Sequence, residues 1–195
     1  MGRKKNSLKL GDVPRYESVI EAIKKALGDV RKGRYKLRDL ALVAILAFTG
    51  CRIGEALKLG VKDVDIKSKT IRITQEKKRE EFYRIVPIPS KLFWEIIKRY
   101  LRRFPSKEMQ LFKITDRQAR NIVYKFTRRY LRKKIRPHAL RHSYAIFVLK
   151  NTKDLETLRR LLGHSDYKWL KNYLDYTQED LEEELERAFE SIEEY

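Results

Sequence analysis

Residues 40–48 of this 195-residue chain read LALVAILAF, the longest run without a polar side chain. A run apolar on every face has to be covered on every face. Nine residues are far fewer than the ~20 needed to cross a bilayer. The run therefore predicts a buried helix over residues 37–49, broken at Gly50, in a chain with no membrane partner. With 42% hydrophobic residues, the rest of the sequence can cover such a helix in one domain, or at most two small ones. Cys51 is the only cysteine, which excludes an internal disulfide and any multi-cysteine metal site. That fits a reducing compartment, and the expectation is a soluble cytoplasmic protein.

Around this helix the pattern is helical, then stranded, then helical. Val19, Ile20, Ile23 and Leu27 follow helical spacing and predict a helix over residues 16–27 stopped by Gly28. A third, short helix is expected over 52–59. Residues 61–66, 70–75 and 82–88 are short, rich in β-branched and aromatic residues and separated by polar turns, and they predict a small three-stranded antiparallel sheet. Helices resume over 90–104, over 115–132 with Thr115 as N-cap, and over 138–149, 154–162 and 167–174. The expected class is α+β, mainly helical.

Charge is unevenly placed. Residues 178–195 carry nine acids and one base, a net −8, so that with a formal charge of +19 for the whole chain the remainder carries +27. A body that basic calls for a polyanion, most simply nucleic acid; a lysine-rich surface of the heat-adapted kind is the plainer reading. Residues 1–14 read as a basic flexible arm or linker remnant. The segment 178–195 predicts an acidic amphipathic helix, with Leu181, Leu185, Ala188, Phe189 and Ile192 on one face, packing on its own domain or on a neighbouring protomer.

All three histidines, His138, His142 and His164, fall within residues 136–177. His138 and Arg141 are three apart at a helix start favoured by Pro137, so both project from one face. An imidazole and a guanidinium beside free helix N–H groups suit a phosphate. His164 follows Gly163, which ends the preceding helix. Three histidines without a matching cysteine or carboxylate pattern do not make a usual metal site. Upstream, Arg52 follows a helix break, and Glu55 lies on the same face, placed to hold the guanidinium.

The segments TGCRIGEALKL, HALRHSYA and LLGHSDYKWLKNYLDYT, with the strand pair ending in RIVPIP between the first two, resemble the signature boxes and β-hairpin of the tyrosine recombinase (phage-integrase, Xer-like) family. The resemblance covers residues 49–177 and implies a catalytic domain over residues 15–177 that cleaves and rejoins DNA through a 3′-phosphotyrosyl intermediate, with no metal, cofactor or ATP. It implies Arg52 and Arg141 as the phosphate-gripping arginines and Glu55 as their supporting carboxylate. His138 and His164 would be the second- and third-box histidines, with Tyr173 as nucleophile, favoured over Tyr176 by family spacing. Lys77, with Lys78 close behind, would be the hairpin lysine acting as general acid, in a turn that lacks the family's glycine. Arg3, Lys4 and Lys5 of the arm and Lys78 and Arg79 of the hairpin are the expected DNA contacts. The implied partner is double-stranded DNA, bound by a monomer or weak oligomer that assembles into a tetramer on paired sites, at the nucleoid. About fifty residues precede Arg52, fewer than the family's DNA-clamping domain needs, so the chain reads as a catalytic fragment or a minimal member. A type IB topoisomerase-like nicking and closing enzyme, or an idle basic DNA-binding protein, are the other readings.

Overall fold

A computed structural model describes residues 13–77 and 80–163, with the side chains of residues 76–81 outside that description. The chain divides into two compact units, Met1–Tyr144 and Ala145–Tyr195. The first carries helices α1 (Tyr16–Arg31), α2 (Leu37–Thr49) and α3 (Ile53–Lys58), strands β1 (Val64–Asp65), β2 (Thr70–Lys77) and β3 (Glu80–Pro87), then helices α4 (Lys91–Leu101) and α5 (Asp116–Leu131). Helix α6 (Pro137–Thr152) contains the division point, and α7 (Leu155–Leu162) belongs to the second unit. No helix among the described residues is long and apolar enough to cross a membrane.

Helix α2 is the buried helix its composition demands. Every residue from Leu40 to Ala47 is buried, and α1, α3, α4 and α5 all pack against it. Each large aliphatic side chain enclosed this way contributes about 1.5–3 kcal/mol, so α2 anchors the unit. It ends where Gly50 adopts φ 61°, the left-handed conformation glycine takes without steric cost, and the Gly50 N–H donates to the Leu46 carbonyl. Thr49 Oγ1 donates to the Ile45 carbonyl at 2.7 Å and accepts from the Cys51 N–H at 3.2 Å. The turn thereby points Cys51 into the core and leaves Arg52 at the surface.

Two sequence expectations need correction. Gly28 does not stop α1, which runs on to Arg31. A glycine lowers helix propensity without ending a helix, and the left-handed position falls instead at Gly33, φ 70°. The segment 61–66 is mostly not strand. The Asp63 carboxylate accepts the Gly60 N–H at 2.9 Å and closes a 3-10 turn over Val61–Asp63, so only Val64 and Asp65 pair with β2.

The sheet is antiparallel in the order β1-β2-β3. Its register sets Ile71 opposite Val86 and Ile73 opposite Arg84. Alternation puts Ile71, Ile73 and Val86 on the buried face, while Tyr83 and Ile85 are exposed on the other. Arg84 therefore shares the inward parity. The predicted caps form as expected: Thr115 Oγ1 accepts from the Gln118 N–H, and Pro137 is the first residue of α6.

Candidate active site

The site is built on the turn that ends α2. Arg52 is the N-cap residue of α3, and its backbone N–H donates to Glu55 Oε2 at 2.9 Å while its Nη1 donates to Glu55 Oε1 at 3.1 Å. The expected brace thus forms through both main chain and side chain. Glu55 is buried and takes a further partner from the sheet: Arg84 Nη2 donates to Glu55 Oε2 at 2.8 Å, both side chains being about nine-tenths buried. Burial pushes the Glu55 carboxyl up, but the hydrogen bond and charge of Arg84, the Arg52 N–H and the charge of Arg141 outweigh it and hold it below the usual carboxylate range.

The first turns of α6 meet the same turn from the other side. Arg141 is 2% exposed, and its Nη1 donates to the Gly50 carbonyl at 2.5 Å. His138 lies one helical turn earlier. Burial, then the positive charges of Arg141 and Arg52, lower its pKa, so both arginines act on one imidazole. His142, one turn later, packs edge-on against His138 with ring centroids 5.0 Å apart, and burial with the charges of His138 and Arg141 lowers its pKa to about 4. Both imidazoles are therefore neutral at neutral pH and able to accept a proton or hydrogen bond. Burial pushes the Cys51 thiol up to about 11, which removes it as a nucleophile at neutral pH. The set is a pair of arginines with a third behind a shared carboxylate, and two neutral imidazoles. It is an arrangement for gripping and reacting with an anion such as a phosphodiester.

Of the sequence-predicted residues, Arg52, Glu55, His138 and Arg141 come together. Lys77 ends β2, paired in register with Glu80, and its side chain is outside the description. Arg3, Lys4, Lys5, Lys78, Arg79, His164, Tyr173 and Tyr176 lie outside the described residues, as do the helices predicted over 167–174 and 178–195. Gly163, immediately before His164, caps α7 in the left-handed conformation, φ 67°. Among the described residues no cluster of His, Cys, Asp and Glu could hold a metal ion. Sequence reasoning missed Arg84 and His142 as members of the site. The signal for His142 is its i+4 spacing from His138; for Arg84 it is an arginine at the inward parity of a strand, which requires a buried carboxylate.

The phage integrase family model matches residues 16–180. The chain is 32% identical over 176 residues to tyrosine recombinase XerA of Pyrococcus furiosus, covering 86% of this chain and 60% of that protein. It is 36% identical over 159 residues to tyrosine recombinase XerD of Corynebacterium glutamicum, covering 75% and 51%. Among solved structures, the XerH site-specific recombinase bound to palindromic difH substrate in a post-cleavage complex superposes with a TM-score of 0.72 at 26% identity, over 94% of this chain and 55% of that one. XerA recombinase shares the fold with a TM-score of 0.72 at 21% identity, over 96% and 66%. The fold is that of a tyrosine recombinase catalytic domain. The chain belongs to the phage integrase family, and it spans about half to three-fifths of the length of these curated relatives.

Proposed function

We propose that this chain is the catalytic domain of a site-specific DNA recombinase that breaks and rejoins strands through a 3′-phosphotyrosyl intermediate. The observation that carries the reading is the convergence of Arg52 and Arg141 on one turn, with His138 under the charge of both. In this reading the arginines bind the non-bridging oxygens of the scissile phosphate, and Glu55 holds Arg52 toward them. Tyr173 attacks phosphorus; the bond to the 5′ oxygen breaks, and Lys77 protonates that oxygen. His138, neutral and beside the arginines, accepts a proton or hydrogen bond from the reacting centre, with His164 as its third-box counterpart. The two arginines offset the charge that develops on the five-coordinate phosphate, a preorganised contribution of about 3–4 kcal/mol per key donor. The phosphotyrosyl bond conserves the phosphodiester's energy, so a 5′ hydroxyl reverses the step without ATP or metal.

The substrate is double-stranded DNA, contacted also by Arg3, Lys4, Lys5, Lys78 and Arg79; the XerH site-specific recombinase, similar in fold, is bound to a palindromic difH substrate. The catalytic region spans residues 15–177, flanked by a basic arm and an acidic C-terminal helix. The protein assembles from monomers or weak oligomers into a tetramer on paired sites, in the cytoplasm at the nucleoid. The test is incubation with nicked suicide DNA followed by denaturing electrophoresis. Wild type gives a covalent adduct and Tyr173→Phe gives none. No wild-type adduct would sink the mechanism, and an adduct with Tyr173→Phe would sink the nucleophile.

A further inference from the structure

A second basic cleft lies outside the active site. The C-terminal halves of α1 and α5 bound a cavity of about 500 Å³ lined by Lys25, Gly28, Asp29, Lys32, Arg129, Tyr130 and Arg132. Four cations face one carboxylate, and that carboxylate is already engaged: Asp29 Oδ2 accepts from Arg129 Nη2 at 2.7 Å and from the Tyr130 hydroxyl at 2.8 Å. Arg129 is further fixed by donating to the Arg34 carbonyl at 3.2 Å and by standing over the rings of Tyr35 and Tyr130. The side chains of Lys25, Lys32 and Arg132 have no partner among the described residues. Like charges gathered on a concave surface repel one another and raise the local concentration of anions.

Two backbone features point the same way. Arg132 follows α5 with φ 57°, a left-handed conformation that costs an L-residue energy and that glycine would take freely. The chain nevertheless places a guanidinium there, on the cleft. At Gly28, inside α1, an added Cβ would meet nothing within 4 Å. The helix forgoes the propensity a side chain would bring, and the space over the cleft stays open.

We propose that this cleft is a binding site for a compact phosphate-bearing anion of the diphosphate class, separate from the scissile-phosphate site. The volume lies in the range of small-molecule sites and well above that of a single phosphate. Its cations form two banks, Lys25 of α1 with Lys32 just after that helix and Arg129 of α5 with Arg132 just after it, which suit two linked phosphate groups. Concavity favours a small anion entering the cleft over the convex edge of a duplex lying across it.

The test is amide-resolved NMR of the full chain titrated with pyrophosphate at constant ionic strength, following Gly28, Asp29 and Lys32. Thermal melts accompany two variants. Arg132→Gly removes one cation and relieves the left-handed residue; Gly28→Glu adds a carboxylate where the space is open. The expected result is saturable movement of these amides in wild type. Half-saturation rises at least tenfold in each variant, and both variants melt no lower than wild type. Stationary amides, equal movement on adding sodium chloride alone, or unchanged half-saturation in both variants would overturn the proposal. So would movement caused by a twelve-base-pair duplex and not by pyrophosphate, which would make the cleft a contact for the DNA backbone. The Gly50 and Gly54 amides report the active-site arginines separately, so anion binding there is read apart from binding in the cleft.

Discussion

Arg52 and Arg141 border the same turn in opposite surroundings. Arg141 is 2% exposed and bonded to the Gly50 carbonyl, whereas the Arg52 side chain is 46% exposed and braced by Glu55. A guanidinium can be preorganised by burial, which ties it to the stability of the fold, or by a partner that is itself buried, which leaves the guanidinium open to a ligand. The second route moves the energetic burden one residue back, onto the Glu55–Arg84 pair. Removing residues in order along this chain of support separates folding from chemistry.

The largest effect on the fold is expected for Arg84→Met. It leaves Glu55 ionised, about 10% exposed and without its shortest side-chain partner. Breaking a buried pair from one side costs about 3–5 kcal/mol, to be read from urea unfolding. A loss below about 1 kcal/mol would mean that Glu55 regains water and that the support is not where the comparison puts it. Arg141→Gln comes next. Losing a charged donor to the Gly50 carbonyl costs on the order of 1.5–3 kcal/mol, together with loss of the covalent DNA adduct. Unchanged stability would erase the contrast between the two arginines.

Arg52→Ala should reverse the pattern. An exposed ion pair contributes about 0–1 kcal/mol, so the unfolding midpoint should hardly move, while adduct formation falls about 10²–10³-fold as expected for a lost transition-state donor. A variant that unfolds as readily as Arg84→Met would show that Arg52 is part of the framework after all.

These differences also mark what the sequence discloses. Helix α2 is legible because nothing but burial satisfies an all-apolar run, and the Thr115 cap and the start of α6 at Pro137 follow from local rules. Arg52, Glu55, His138 and Arg141 are legible because helical spacing puts each pair on one face. Arg84 is only half so: alternation along β3 gives its inward parity, but its partner Glu55 lies 29 residues away on α3, and only the fold brings the two together. Gly28 misleads because a glycine ends a helix through its φ, which composition does not state. The segment 61–66 misleads because the Asp63 side chain captures a backbone N–H that a strand would have paired across the sheet.

The effect expected to be smallest at neutral pH is a pH slope from the imidazoles beside Arg141. His142 has a folded pKa of about 4 against 6.5 for an ordinary histidine. Between these values the unfolded chain binds a proton that the folded chain does not, so stability rises with pH across that window and levels off above it. His138, lowered in the same direction, adds to the slope below 6.5. As pH falls from 6.5 toward 4 the fold weakens, and His142→Phe, which keeps a ring against His138, should flatten the curve by under one proton while leaving stability at pH 7.5 nearly unchanged. Urea midpoints at half-unit pH steps for wild type and variant read this difference. Identical slopes would mean that His142 is solvated, and that the neutral imidazole pair beside the arginines is not held by burial.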